Sequence, residues 1–178
     1  MPMSSEVVTE RLTLRAFSAS ELDSLLRNIS VLQDELRLPL APDIIDADVS
    51  RAIRLKLVKM KTVEPNLHDW FTYWLIIINS ISVGAGMIGF KGFPDAVGSA
   101  EVGYGISIPY RNHGYMTEAL IGLSSWAFKH GECRLLTAQT VVNPASERVL
   151  YKAGWQRINQ VEASSDWIMR RETSLHGH

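Results

Sequence analysis

Three apolar runs lie between Trp70 and Ile108, separated only by turn-forming residues, and this succession constrains the fold more than any other feature. Trp70 to Asn79 is rich in aromatic and β-branched side chains, and Asn79-Ser80-Ile81-Ser82 reads as a turn. Val83 to Phe90 is then the hairpin partner of the first run. A loop with Gly92, Pro94, Asp95 and Gly98 leads to a third strand, Glu101 to Ile108. Just beyond, Tyr115 to His130 carries the helical period, with Met116, Ala119, Leu120, Leu123 and Ala127 on the inner face and Gly131 as its stop.

The flanking segments add smaller elements. Leu12, Leu14 and Ala16 alternate with Arg11, Thr13 and Arg15, the period of a half-buried strand. Ser18-Ala19-Ser20-Glu21 is a capping box, and Leu22, Leu25, Leu26 and Ile29 mark one face of the short helix it opens. Asp46 caps a second helix, Ala47 to Lys61, with Val49, Ile53, Leu57 and Met60 on one face. Arg134 to Val142 is a strand. Asn143-Pro144 opens a helix ended by Gly154, and Trp155 to Val161 and Asp166 to Arg170 form a last strand pair. The order β-α-α-β-β-β-α-β-α-β-β predicts an α/β (α+β) fold, in which helices cover both faces of a mixed, largely antiparallel sheet of six to seven strands. With no repeat or linker, residues 1–178 are expected to form one domain.

Composition narrows the function classes. Hydrophobic residues are 46% and charged residues 21%, ordinary for a soluble globular chain. A formal net charge of −1 makes no electrostatic case for nucleic acid or an anionic membrane. The longest apolar run, Tyr73 to Ile78, is far short of the ~20 residues a bilayer requires. The alternating segment from Met1 to Arg15 lacks the continuous apolar core of a signal peptide, and Cys133 has no cysteine to pair with, so the expected location is cytoplasmic. Cys133 reads as a buried small hydrophobe rather than a nucleophile. His68, His113, His130, His176 and His178 show no metal-ligand spacing.

Gly84-Ala85-Gly86-Met87-Ile88-Gly89 fits the G-x-G-x-x-G dinucleotide pattern by letter. That pattern requires a strand that closes and a helix that opens, because the pyrophosphate sits on the helix N-terminus. Here Phe90-Lys91-Gly92-Phe93-Pro94 follows, which forms no helix interior. The glycines are read instead as close-packing positions in a strand or bulge.

The chemistry is concentrated between Glu101 and the helix at Tyr115. A strand ends, the chain turns through Arg111-Asn112-His113-Gly114-Tyr115-Met116, and a helix begins at once. Consecutive N–H groups there point into one concavity at the positive end of the helix dipole, a ready site for phosphate. Gly114 leaves room for close approach of an anion, and Arg111 can add a charged contact.

The run Arg111-x-x-Gly114-x-Met116 resembles the Q/R-x-x-G-x-G/A signature of the GNAT superfamily of N-acetyltransferases, departing from it at Met116. Glu101-Val102-Gly103-Tyr104 before it, Asn143-Pro144-Ala145-Ser146 after it, and Lys152-Ala153-Gly154-Trp155 further on are similar to family segments in order and spacing. Thr9-Glu10-Arg11-Leu12-Thr13-Leu14-Arg15 resembles the branch containing the ribosomal-protein N-terminal acetyltransferases.

The resemblance implies a sheet splayed open at an acetyl-CoA site, with acetyl moved to a primary amine on a protein N-terminus or small molecule by a monomer or homodimer. It puts the pyrophosphate on the N–H groups of Asn112, His113, Gly114, Tyr115 and Met116, beside Arg111. The pantetheine runs along Ile106, Ser107 and Ile108, and Asn143 bonds its amides. Glu101 is the candidate general base, and Ser146 or Tyr151 the candidate acid, since the position where many members carry tyrosine is Leu150 here. That leucine keeps open an alternative, a non-catalytic acyl-CoA-binding or regulatory module on the same fold.

Overall fold

The computed structural model describes residues 3–173, so His176 and His178 lie outside the described residues. Its strands are β1 (Glu6–Val8), β2 (Leu12–Ala16), β3 (Tyr73–Ile78), β4 (Val83–Phe90), β5 (Ser99–Ile106), β6 (Leu135–Val141), β7 (Gln156–Val161) and β8 (Ser164–Arg170). The helices are α1 (Ala19–Arg27), α2 (Ile29–Leu36), α3 (Ala47–Met60), α4 (Tyr115–Phe128) and α5 (Pro144–Lys152). One eight-stranded sheet runs β1-β2-β3-β4-β5-β6-β8-β7, antiparallel throughout except for the β5–β6 pair.

Strand alternation gives the sheet two apolar faces. Leu12, Leu14, Trp74, Ile76 and Ile88 meet Met116, Ala119, Leu120, Leu123 and Ala127 of α4 on one side. Leu75 and Met87 meet Leu22, Leu25, Leu32, Ile53 and Met60 of α1, α2 and α3 on the other. The helices start where the sequence places their caps. Glu21 N–H donates to Ser18 Oγ at 3.2 Å while Ser18 N–H donates to the Glu21 carboxylate at 2.8 Å. Asp46 accepts from Val49 N–H at 2.8 Å, and Asn143 accepts from Ala145 N–H at 2.8 Å.

The sheet has eight strands rather than six or seven. The extra one, β1, is three residues long, too short for alternation alone to mark it as a separate strand. Ile29 does not extend the first helix: Asn28 is extended (φ −158°, ψ 91°), closing α1 and capping α2 with the same residue. Trp70 precedes its strand, ending a short 3-10 turn, Pro65–Trp70, whose ring packs 4.9 Å from both Phe90 and Trp126. Helix α4 closes at Phe128 through tightened bonds such as His130 N–H to Ala127 O, before Gly131 is reached.

The G-x-G-x-x-G letters lie wholly within β4. Ile76 faces Gly86 and Ile77 faces Gly84, so Ala85 is bulged. A Cβ on Gly86 would stand 2.4 Å from Gly105 O, and one on Gly89 2.5 Å from Thr72 O. Neighbouring backbone closes on both positions, and the strand must part to admit a methyl group. Gly86→Ala is therefore expected to destabilise the fold by about 3–5 kcal/mol and lower Tm by roughly 10 °C. A thermal melt within 2–3 °C of wild type, on the order of 1 kcal/mol, would refute this account of the glycine.

Candidate active site

β5 and β6 pair only at Ser99↔Leu135, Ala100↔Leu136 and Glu101↔Thr137. Beyond Glu101 the strands part, β5 staying with β4 and β6 with β8. Which backbone groups face the wedge follows from register. Glu101 O accepts from Lys91 N–H at 2.9 Å and Ser107 N–H donates to Ala85 O at 2.8 Å, so odd-numbered residues of β5 bond to β4. The even-numbered residues Val102, Tyr104 and Ile106 therefore turn their polar groups toward the opening. Ile106 O accepts from Arg111 Nε at 3.1 Å, and Ile108 N–H donates to the Asp43 carboxylate at 3.0 Å. Ser107 and Ile108 thus have their N–H groups engaged elsewhere, and the edge open to a ligand narrows to Tyr104 and the Ile106 N–H.

The loop after β5 begins with a 3-10 turn, Ile108–Tyr110, and enters α4 through two left-handed residues, Asn112 (φ 61°) and Gly114 (φ 78°). Asparagine and glycine tolerate that region best. Among the described residues, none of the N–H groups from Asn112 to Thr117 donates to a protein acceptor. The loop's carbonyls are engaged instead. Arg111 O accepts from His113 Nδ1 at 2.7 Å, His113 O from Arg11 Nη1 at 2.9 Å, and Gly114 O from Glu118 N–H at 3.1 Å. With these three carbonyls tied back and six N–H groups free, the loop has the form of an anion cradle. Met116 is 5% exposed and packs into the α4-side core, so its side chain does not obstruct the cradle.

Arg11 is the residue here that sequence reasoning passed over as a strand position. Its Nε pairs with Glu118 Oε2 at 2.7 Å, and its guanidinium lies 4.6 Å from the Tyr115 ring centroid. Tyr115 stacks in turn on His113 at 5.6 Å. Burial works to raise the Glu118 carboxyl, but the Thr9 hydroxyl and the Arg11 N–H and guanidinium outweigh it and hold the group below the usual carboxylate range. Asp43 is likewise held low, chiefly by the Ile108 N–H.

The candidate catalytic residues are brought together only in part. Glu101 ends the stretch of β5 that pairs with β6, its side chain 23% exposed and ion-paired with Lys91. Ser146, in the first turns of α5, accepts at its backbone carbonyl from Tyr104 Oη at 3.2 Å, a bond that spans the wedge from β5 to α5. Burial raises the Tyr104 phenol well above its ordinary value, so it stays a protonated donor. Tyr151 is 75% exposed on the outer side of α5, in an open groove with Arg148, Trp155 and Arg157. Leu150 is fully buried. Cys133 is buried too, its thiol pushed up to about 11 by desolvation, which leaves it inert. No helix of the described residues is long and apolar enough to cross a membrane.

A mixed sheet that splays beside a strand–cradle–helix unit is the architecture of a known acyltransferase class, and comparison with characterised families agrees. Residues 11–156 match the acetyltransferase (GNAT) domain model, and the chain belongs to that family. It is 29% identical over 107 residues to the uncharacterized N-acetyltransferase YjdG of Bacillus subtilis (strain 168), covering 60% of this chain and 64% of that relative, less than two thirds of its length. The fold is similar to a GNAT-family acetyltransferase from Bacillus anthracis (TM-score 0.62, 18% identity, 95% of this chain and 100% of that one). It is also similar to RimL, a ribosomal L7/L12 alpha-N-protein acetyltransferase solved with coenzyme A (TM-score 0.63, 16% identity, 93% and 98%).

Proposed function

We propose that this protein is an N-acetyltransferase that moves acetyl from acetyl-CoA to a primary amine directly, in a ternary complex. The observation that carries this reading is the row of free N–H groups from Asn112 to Thr117 at the head of α4, next to a sheet open at Tyr104 and Ile106. Diphosphate suits the first and a peptide-like pantetheine arm the second. A similarly folded acetyltransferase has been solved with coenzyme A, which supports the choice of cofactor.

The co-substrate supplies an activated acetyl thioester. The chain's part is then to hold amine and thioester together, which accounts for much of the acceleration in such transfers. Arg111 and the cradle hold the diphosphate, and Asn143 faces the pantetheine amides. The Tyr104 or Ile106 N–H offers a donor to charge developing on the thioester oxygen. Glu101, directly or through water, takes the proton that the amine gives up. Ser146 and Tyr151 remain the sequence-derived candidates for returning a proton to the thiolate, and Ser146 has the support of lying beside the wedge.

Calorimetry with acetyl-CoA tests the reading. Wild type is expected to bind in the micromolar range, and Gly114→Trp to weaken binding more than 100-fold. The bulky side chain would occupy the cradle from a backbone position at φ 78° that suits glycine. Wild-type protein that binds no acetyl-CoA would overturn the reading. The alternative, a non-catalytic acyl-CoA-binding module, is favoured by one observation, a buried leucine, Leu150, at the position where the family resemblance implies a tyrosine. Binding without turnover over a panel of peptide N-termini and small amines would establish it.

A further inference from the structure

From the contacts of a residue far away in sequence, we infer that Arg11 is the positioning residue of the phosphate cradle. This rests on the acetyl-CoA reading above. A cradle of N–H groups exists only while the carbonyls between them point away. Three of the loop's carbonyls are held back, two of them within the loop and helix, Arg111 O by His113 and Gly114 O by Glu118 N–H. The third, His113 O, is held from outside, by Arg11 Nη1 at 2.9 Å. Without that bond, the peptide between His113 and Gly114 is free to rotate and turn its carbonyl toward the anion.

Arg11 is itself fixed on both sides. Its carbonyl accepts from Asn79 N–H at 3.0 Å, and its N–H donates to Glu118 Oε1 at 2.7 Å. Its Nε holds Glu118 Oε2, and its guanidinium plane covers Tyr115, which stacks on His113. The side chain is therefore a strut from the sheet to the loop.

Charge gives it a second task. Glu118 sits in the first turn of α4, where its carboxylate would oppose a bound diphosphate. Arg11 neutralises it, and Nη2 lies 3.3 Å from where a Cβ on Gly114 would stand, at the rim of the cradle. Lysine cannot replace this fork, since one ammonium does not reach the His113 carbonyl and the carboxylate in the same plane.

Calorimetry with coenzyme A, and with adenosine 3′-phosphate 5′-diphosphate as a probe lacking the pantetheine arm, separates this role from simple scaffolding. Arg11→Gln is expected to weaken both ligands by the same factor, about 10–100-fold, and Arg11→Lys to recover only part. Arg11→Gln/Glu118→Gln is expected to bind more tightly than Arg11→Gln, because the uncompensated carboxylate is gone. In turnover, the KM for acetyl-CoA rises while kcat at saturation stays near wild type. Affinities of Arg11→Gln within threefold of wild type, measured below its unfolding transition, would overturn the proposal. A loss confined to coenzyme A, with the probe unaffected, would do the same. Wild-type protein that binds neither ligand would remove the acetyl-CoA reading first and this inference with it.

Discussion

Glu101→Gln is expected to lower turnover ~10²–10⁴-fold, the usual contribution of a positioned general base, while acetyl-CoA affinity stays within a few-fold of wild type. The expectation combines two constraints. An ammonium acceptor must lose a proton before it can attack, so the group receiving it must stand where amine and thioester meet. Glu101 is the last residue of β5 paired with β6, the point from which the sheet opens. Its side chain points to the face opposite Ala100 and Val102, which are buried against α4. Lys91 holds the carboxylate in place without burying it, leaving 23% of the side chain exposed. The substitution keeps the shape and one acceptor oxygen for Lys91 while removing the basicity and the charge. The check is kcat against pH for both proteins with a working acceptor. Near-normal rates for the glutamine variant across the range would retire Glu101 as base and leave it a partner for Lys91.

Local rules made much of the fold legible. Ser18, Asp46 and Asn143 announce helix starts through short side chains that accept from N–H groups two or three residues on, and the helices begin there. The inner face of α4 is a matter of period, and all five side chains assigned to it are buried. Helical phase puts Leu150 and Tyr151 about 100° apart, so only one can face the core, and the structure buries Leu150. What the sequence did not disclose depends on contacts between distant segments. Asn28 breaks and restarts a helix through one extended backbone torsion, and the apolar period of Leu22, Leu25, Leu26 and Ile29 runs across it unbroken. The direction of the β5 polar groups depends on its register with β4, a pairing between segments that the sequence does not announce. Asp43 and Arg11 reach Ile108 and His113 across separations of 65 and 102 residues, beyond any motif. Arg11 was on view within the Thr9-to-Arg15 segment, but its partner was not.

Lys56→Met is expected to stabilise the protein at neutral pH, contrary to the usual effect of removing a hydrogen-bonded side chain. Lys56 lies on α3 with 8% of its surface exposed, donates to Phe90 O at 2.6 Å, and rests 4.4 Å from the Tyr73 ring centroid. It pairs with no carboxylate among the described residues, and Lys59 and Lys91 are close enough to repel it. Desolvation first, then those two charges, bring it down to about 7. Because folding lowers this pKa, the sign is opposite to that of a salt-bridged lysine. Below about pH 7 the ammonium is charged in both states and the folded protein bears the full cost of burying it. Between there and the ordinary lysine range the unfolded chain binds more protons, so stability rises with pH. Above roughly pH 10.4, the ordinary lysine value, the cost is gone. A shift of this size corresponds to roughly 3–5 kcal/mol, against which the methionine variant loses about 1–3 kcal/mol by leaving the Phe90 carbonyl without its donor. The expected net gain is about 1–3 kcal/mol at pH 7, shrinking and then reversing by roughly pH 10. Denaturant unfolding of both proteins across that range checks it, and parallel curves with no convergence would show that Lys56 is not the group responsible. Phe90 leads directly into Lys91, the partner of Glu101, so the same variant also reports on catalysis. A gain in stability with loss of turnover would mean that the buried amine is retained to shape the Lys91–Glu101 pair rather than to hold the fold together.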